Sequence, residues 1–294
     1  MKRNLFLLIA GLVVVAACKQ SDNRVQAFVD TTKTATATTA TAADDARADR
    51  EDNTTDILLQ RTPKGMPDKV LRRTAYTTSY NHETRCPNWV AWTLTRDHTY
   101  GSQQRSNERF EEDTDVKTPR ATFQDFYSSR YDRGHMCPAG DNKWSEDAMA
   151  QSFLLTNICP QNHGMNKNAW NDLEIQCRSW AREYGAVDIV CGPIFRGVSY
   201  ENGKMKPSPS QRFIGRNKVW VPDAFFKVIL CRNRSPKALG FIYENRGGQQ
   251  TLADCVCSVD EIERLTGIDF FYLLADDVEN RVEKEAKLSQ WPKR

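Results

Sequence analysis

A chain of 294 residues with a formal net charge of +3 has room for one large or two small domains. Residues 1–60 look like part of no core, which leaves one domain of about 230 residues and excludes a second of similar size. That segment holds seven Lys/Arg against eight Asp/Glu, so residues 61–294 carry 34 against 30, a net +4. So mild a balance neither demands nor excludes a polyanionic partner, because local patches outweigh the sum.

Lys2 and Arg3 precede an apolar stretch from Leu5 to Ala17, closed by Val15-Ala16-Ala17-Cys18. The stretch is too short to span a bilayer and reads as a signal peptide over residues 1–18. Its terminal cysteine resembles a bacterial lipoprotein signal, in which Cys18 becomes the lipidated first residue; an ordinary cleaved signal is the alternative. Lipidation implies an exported protein anchored to a membrane, at a periplasmic face or the cell surface, without spanning it. Residues 19–60 are rich in Thr, Ala and Asp and poor in large apolar groups. They cannot bury enough surface to offset chain entropy and are expected to be a flexible tether to a domain at 61–294.

The aromatic and β-branched run Trp89-Val90-Ala91-Trp92-Thr93-Leu94-Thr95 predicts a strand. A polar stretch from Arg96 to Pro119 predicts a long loop. Phe126 to His135 leads into Asp132-Arg133-Gly134-His135, expected to be a turn. Ser145 to Phe153 predicts a helix with Glu146 and Asp147 in its first turn. Leu154 to Ile158 is a short extended run expected to stop at Pro160. Asn168 to Arg182 predicts a helix, with Trp170, Leu173, Cys177 and Trp180 near helical spacing. Val187–Pro193, Ala224–Cys231 and Leu239–Tyr243 read as buried strands. Val259 to Thr266 predicts a helix capped by Ser258, and Gly267 to Leu274 a last turn and strand. The elements alternate without a regular βα repeat, so the expected fold class is α+β with a mostly antiparallel sheet.

Beyond Cys18 there are eight cysteines: Cys86, Cys137, Cys159, Cys177, Cys191, Cys231, Cys255 and Cys257. An even number in an exported chain predicts disulfides, with connectivity left open. Zinc is the weaker alternative, because no Cys-x-x-Cys pair exists and Cys255-x-Cys257 is the only close spacing.

Candidate chemistry gathers around one histidine among four. An imidazole takes a proton near neutral pH. Gly134 beside His135 permits a tight turn or a close backbone approach. Arg133 suits phosphate oxygens in a bidentate grip, and Asp132 can orient a neighbour or pair with Arg133. Asn166 and Glu174 are eight residues apart, so on one helix they stand about 80° apart around the axis and two turns along. An amide oxygen and a carboxylate suit Mg²⁺, and Asn157 adds a second amide. Asn162 and Asn168 read as capping residues, and Trp170 as core. Lys143, Lys167, Arg178, Arg182 and Arg130 surround the motif in sequence and can form a basic groove, or a solvated charge pattern.

Taken in order, Asp132-Arg133-Gly134-His135, Thr156-Asn157-Ile158-Cys159-Pro160-Gln161 and Asn166-x-x-x-Trp170-x-x-Leu173-Glu174 resemble the DNA/RNA non-specific endonuclease family, the ββα-metal finger nucleases. Trp89 to Leu94 resembles that family's early strand, and Arg105, before Phe110 and Asp113, its early arginine. The resemblance runs from about residue 85 to 275 and is carried by four ordered motifs. It implies a Mg²⁺-dependent (or Mn²⁺-dependent) endonuclease that cuts DNA and RNA to 5′-phosphorylated products. His135 would be the general base, Asn166 the metal ligand, and Glu174 the holder of metal-bound waters. Asn157 would support the cluster, Arg133 and Arg105 would contact phosphate, and Asp132 would assist. Arg109 is the alternative to Arg105. Cys159, where the family often has Thr, and Cys137 depart from the pattern and are candidates for a disulfide near the site. A phosphodiesterase acting on a smaller or non-nucleic substrate and a catalytically inactive binding lipoprotein are the competing readings. A homodimer is an assembly the sequence leaves open.

Overall fold

The computed structural model describes residues 57–201 and 204–293. The signal peptide, Cys18 and nearly all of the expected tether lie outside the described residues. Packing starts earlier than the expected boundary at residue 61. Ile57 is buried among Val259, Ile262 and Phe270, and the Gln60 side chain donates to the Ile57 carbonyl and accepts from the Phe271 amide.

Seven strands form the main sheet: β1 (Lys69–Arg72), β2 (Thr77–Asn81), β3 (Cys86–Thr95), β6 (Ala186–Ile194), β11 (Ala224–Cys231), β12 (Lys237–Glu244) and β13 (Val256–Cys257). They lie side by side in that order, and every neighbouring pair is antiparallel. The α+β expectation and the antiparallel sheet are both borne out. The central strands read as unbroken apolar runs because the sheet is covered on both faces. On β3, Val90, Trp92 and Leu94 face one core and Trp89 and Ala91 the other. On β11, Phe225 and Ile229 join the first core, and Phe226, Val228 and Leu230 the second.

The first face carries the finger that holds the site. β4 (Tyr131–His135) pairs antiparallel with β5 (Ile158–Asn162), matching Gly134 to Cys159 and His135 to Ile158. Asp132 to His135 is therefore strand rather than turn, and β5 runs through Pro160 instead of stopping there. α1 (Phe123–Phe126) precedes the ribbon, and the chain between its two strands holds the expected helix, α2 (Glu146–Ser152), capped by Ser145 Oγ accepting from Ala148 N at 3.3 Å. After β5, Asn162 Oδ1 accepts from the amides of Gly164 and Met165 and starts α3 (His163–Met165). A π-helical turn, Asn166–Trp170, leads directly into α4 (Asn171–Tyr184), which buries Leu173, Cys177, Trp180 and Ala181 on the sheet. Gly185, at φ +89°, ends it in a conformation that favours glycine.

The second face is covered by α6 (Val259–Thr266) and α7 (Asp276–Lys284), with α5 (Leu252–Cys255) at the edge. Ser258 caps α6 through the Glu261 amide at 3.1 Å, as the sequence predicts. Residues 267–274 give a turn and a single bridge, Arg61 to Asp269, rather than a strand. Two small hairpins complete the fold: β7 (Ser199–Glu201) with β8 (Lys204–Lys206), and β9 (Arg212–Ile214) with β10 (Val219–Val221).

The disulfide expectation is not met: Cys86, Cys137, Cys159, Cys177, Cys191, Cys231, Cys255 and Cys257 are all free and buried. Most are dispersed through the core, while Cys86 and Cys159, though neighbours, pack there as thiols. Seven sit on different strands and helices and Cys137 in the bend after β4, each packed as a small apolar side chain. Cys137 lies against Asn142, while Cys159 has Cys86 for a neighbour, and burial raises both thiols well above their usual pKa.

Gly134 is required by a close approach. A Cβ there would stand 1.9 Å from Gln161 Oε1 across the ribbon, and Gln161 is fully buried. Gly134→Ala is expected to cost about 1–3 kcal/mol by overpacking. Thermal unfolding reads this as a lowered Tm, and an unchanged Tm would show that Gln161 moves aside freely.

Candidate active site

The ribbon and the helix after it enclose a cavity of about 610 Å³ lined by Arg105, Asp132, Arg133, His135, Asn166 and Glu174. Six of the predicted site residues thus converge. Asn157 is not among the lining residues, and Arg109 stays outside, so Arg105 is the arginine that the fold delivers.

His135 is the last residue of β4 and is 8% exposed. Its ring packs edge-on to Phe153 at 4.8 Å and tilted to Phe110 at 5.3 Å. Trp170 Nε1 donates to the His135 carbonyl at 3.3 Å, so Trp170 belongs to the core and positions the histidine backbone. The imidazole Nε2 is buried and has no protein partner. Burial, aided by the nearby charge of Arg105, holds the imidazole pKa down to about 3. The ring is therefore neutral at physiological pH, with a lone pair to offer.

Asn157 is fully buried and its amide is wholly engaged. Oδ1 accepts from the Cys137 amide at 2.9 Å, and Nδ2 donates to the carbonyls of Cys137 and Ser152, each at 2.8 Å. The Asn157 carbonyl accepts from the Met136 amide at 2.9 Å. These bonds hold the chain leaving His135 against the end of α2.

Asp132 does not pair with Arg133. Its carboxylate accepts from Asn166 Nδ2 at 2.9 Å and meets His163 Nδ1 at 3.0 Å. With the amide nitrogen so committed, Asn166 offers Oδ1 to the cavity. Glu174 makes no hydrogen bond among the described residues. Burial pushes its carboxyl up to about 6, against the opposing pull of Lys227, Arg178 and Arg105. Asn166 sits at the start of the π-turn and Glu174 in the first turn of α4. The π-turn rewinds the helix between them, so their convergence does not rest on regular α spacing; such turns recur at functional sites. An amide oxygen and a carboxylate that no protein cation neutralises directly, beside an orphaned imidazole nitrogen, fit a hard divalent cation.

Arg133 is clamped between the rings of Phe110 and Phe123, at 4.8 and 4.7 Å, and makes no ion pair among the described residues. Lys143, Lys167 and Arg178 also line the cavity. Arg182 bonds instead to Thr99 and stacks on Tyr100, and Arg130 is exposed away from the lining. The segment bearing Arg105 is moored by Asp113, which accepts from Thr156 Oγ1 at 2.6 Å and from Arg73 at 2.5 Å.

Sequence reasoning missed three groups. His163 lies three residues before Asn166, and its proximity to that motif was the available signal. Asp141 accepts from Arg178 at 2.7 Å and from Trp92 Nε1 at 3.2 Å, which fixes Arg178 at the cavity wall. Lys227 is fully buried, its ammonium 4.2 Å from the Trp170 ring centre and 5.6 Å from that of Trp92. Burial works against its charge, yet Cys191, Glu174, Cys177 and Asp141 together raise its pKa. A lone lysine inside the apolar run Ala224–Cys231 was its signal in the sequence.

The ribbon β4–β5 with the helix that follows is a ββα finger, and on this antiparallel sheet it defines the ββα-metal class of α+β protein. Within that class, the chain belongs to the DNA/RNA non-specific endonuclease family, whose model matches residues 53–277. It is 37% identical over 206 residues to the mitochondrial nuclease EXOG of Xenopus laevis, covering 68% of this chain and 57% of the relative. It is 34% identical over 218 residues to the mitochondrial endonuclease G of Bos taurus, covering 73% and 68%. A solved structure of an EndoG/EndoGI complex, titled for the mechanism of EndoG inhibition, superposes with a TM-score of 0.64 at 28% identity, covering 73% of this chain and 94% of that one. The match thus spans little more than half the length of the EXOG relative.

Two measurements follow from the geometry. Arg105→Met removes a like charge from beside His135, so the imidazole pKa should rise from about 3, read by NMR of the ring nitrogens in metal-free protein; an unmoved titration would place Arg105 elsewhere. Asn157→Ala leaves buried backbone groups at Cys137 and Ser152 unpaired and should cost about 2–4 kcal/mol in denaturant unfolding.

Proposed function

We propose that this protein is a Mg²⁺-dependent, sugar-non-specific endonuclease that hydrolyses DNA and RNA to 5′-phosphorylated products. The observation that carries the reading is the buried, partnerless Nε2 of His135 lining the same cavity as Asn166 and Glu174. A neutral imidazole there takes the proton of an attacking water. Arg133, rigid between two rings, and Arg105 grip the phosphate and offset charge as it builds on the phosphoryl oxygens. Asn166 and Glu174 would hold the cation, and Asp132 orients Asn166 so that its carbonyl oxygen faces inward. Bound Mg²⁺, with Mn²⁺ as a substitute, would polarise the phosphate and stabilise the departing 3′ oxygen. Asn157 touches no reacting group and acts through the backbone as a positioning residue.

The cations lining the cavity recognise phosphate and sugar, which carry no sequence information. Non-specific cutting of both nucleic acids accords with that and with the family. Lys2-Arg3, the apolar run and Cys18 support an exported lipoprotein, tethered to a membrane through lipid on Cys18. No helix of the described residues is long and apolar enough to cross a membrane.

The chain from Cys18 onward should degrade plasmid DNA and RNA in Mg²⁺ and stop on addition of EDTA. His135→Ala should lower kcat by about 10²–10⁴ while the protein stays folded, its Tm lowered only by the several degrees that truncating a buried ring costs. Wild-type protein inert on every nucleic acid would overturn the reading; a fully active His135→Ala enzyme would overturn only the role of the base.

A further inference from the structure

On the face of the sheet opposite the cavity, α6 and α7 bring Asp260, Glu263 and Glu283 together. One carboxylate oxygen from each lies within 4.8 Å of the other two. Glu283 is only 6% exposed, and its Oε1 has no hydrogen-bond partner. Among the described residues none of the three makes an ion pair. The other charged groups that face Glu283 are Glu279 and Asp269, both acidic. Arg61, which acts on Glu279 at this junction, is bound to Asp269 at 2.8 Å. Glu263 is held in place by the Phe270 amide, which donates to its Oε1 at 2.8 Å.

A buried carboxylate that faces only other carboxylates lacks the compensating charge such groups require. We propose that Asp260, Glu263 and Glu283 form a binding site for a divalent cation, Ca²⁺ by preference, distinct from the catalytic metal site. Three carboxylates are hard oxygen donors. Ca²⁺ takes several carboxylate oxygens in a flexible shell, whereas Mg²⁺ is usually held by one or two carboxylates. An all-carboxylate trio thus suits Ca²⁺, and the exposure of Asp260 leaves room for water to complete its shell. Without a cation, burial and mutual repulsion push Glu283 up to about 9 and Glu263 up to about 7. The site ties α7 to α6, so binding stabilises the fold of this face without entering the reaction.

Ca²⁺ binding to the full chain is measured by equilibrium dialysis with ⁴⁵Ca²⁺ and by the Ca²⁺-induced rise in Tm. Wild type should bind one Ca²⁺ equivalent that Glu283→Gln lacks and that Asp260→Asn holds at least tenfold more weakly. Asn166→Ala should retain that equivalent, which separates this site from the catalytic one. Nuclease activity of Glu283→Gln in Mg²⁺ should equal wild type. Since Asp260 is exposed, Asp260→Asn keeps the test intact if Glu283→Gln fails to fold. Wild-type stoichiometry and affinity in both variants, or no binding by wild type at millimolar Ca²⁺, would overturn the proposal.

Discussion

The grip of Asn157 on the backbone at Cys137 and Ser152 is the constraint on which the site depends. Three side-chain hydrogen bonds join the exit of β4 to the end of α2 and the entry of β5. Because the amide is fully buried, none of those bonds has water as an alternative. Gly134, pressed on Gln161, brings the ribbon strands to one spacing, and Trp170 pins the carbonyl of His135 from the helix side. The histidine is thus located by its backbone, which leaves its ring nitrogen free for chemistry.

Electrostatics divide the residues around the cavity into two groups. Among the described residues Arg105 and Arg133 make no ion pair, so their charge is available to an anion. Arg178 is already matched by Asp141 and stiffens the wall. Lys227 sits beneath, screened by Trp92 and Trp170, and its charge works to keep Glu174 ionised against burial. The same principle acts with opposite sign on His135, where burial and a nearby cation both favour the neutral ring. One carboxylate and one base are thereby brought to complementary protonation states in a single cavity.

The sheet separates two kinds of work. One face carries the finger, α4 and the cavity. The other packs α6 and α7 over an apolar core and gathers acid at their junction. Cysteines lie in both cores as thiols, so the stability of the domain rests on packing rather than covalent staples.

Much of this was legible in the residues alone. The aromatic and β-branched run of β3 and the apolar run of β11 foretold a sheet, and the acidic first turn after Ser145 and the cap Ser258 foretold the starts of α2 and α6. The ordered motifs around His135, Asn166 and Glu174 foretold the site, because local spacing and residue chemistry travel with the sequence. Other features depended on partners distant in the chain. The tetrad became a strand because β5, some 25 residues on, pairs with it, and Asp132 turned to His163 and Asn166 rather than to its neighbour Arg133. Asn157 proved to be a clamp, Arg105 rather than Arg109 reached the cavity, and the even set of cysteines stayed reduced. Spacing and composition report what a residue can do, but which neighbour it meets, and how far it is buried, is decided only when strands and helices far apart in sequence close on one another.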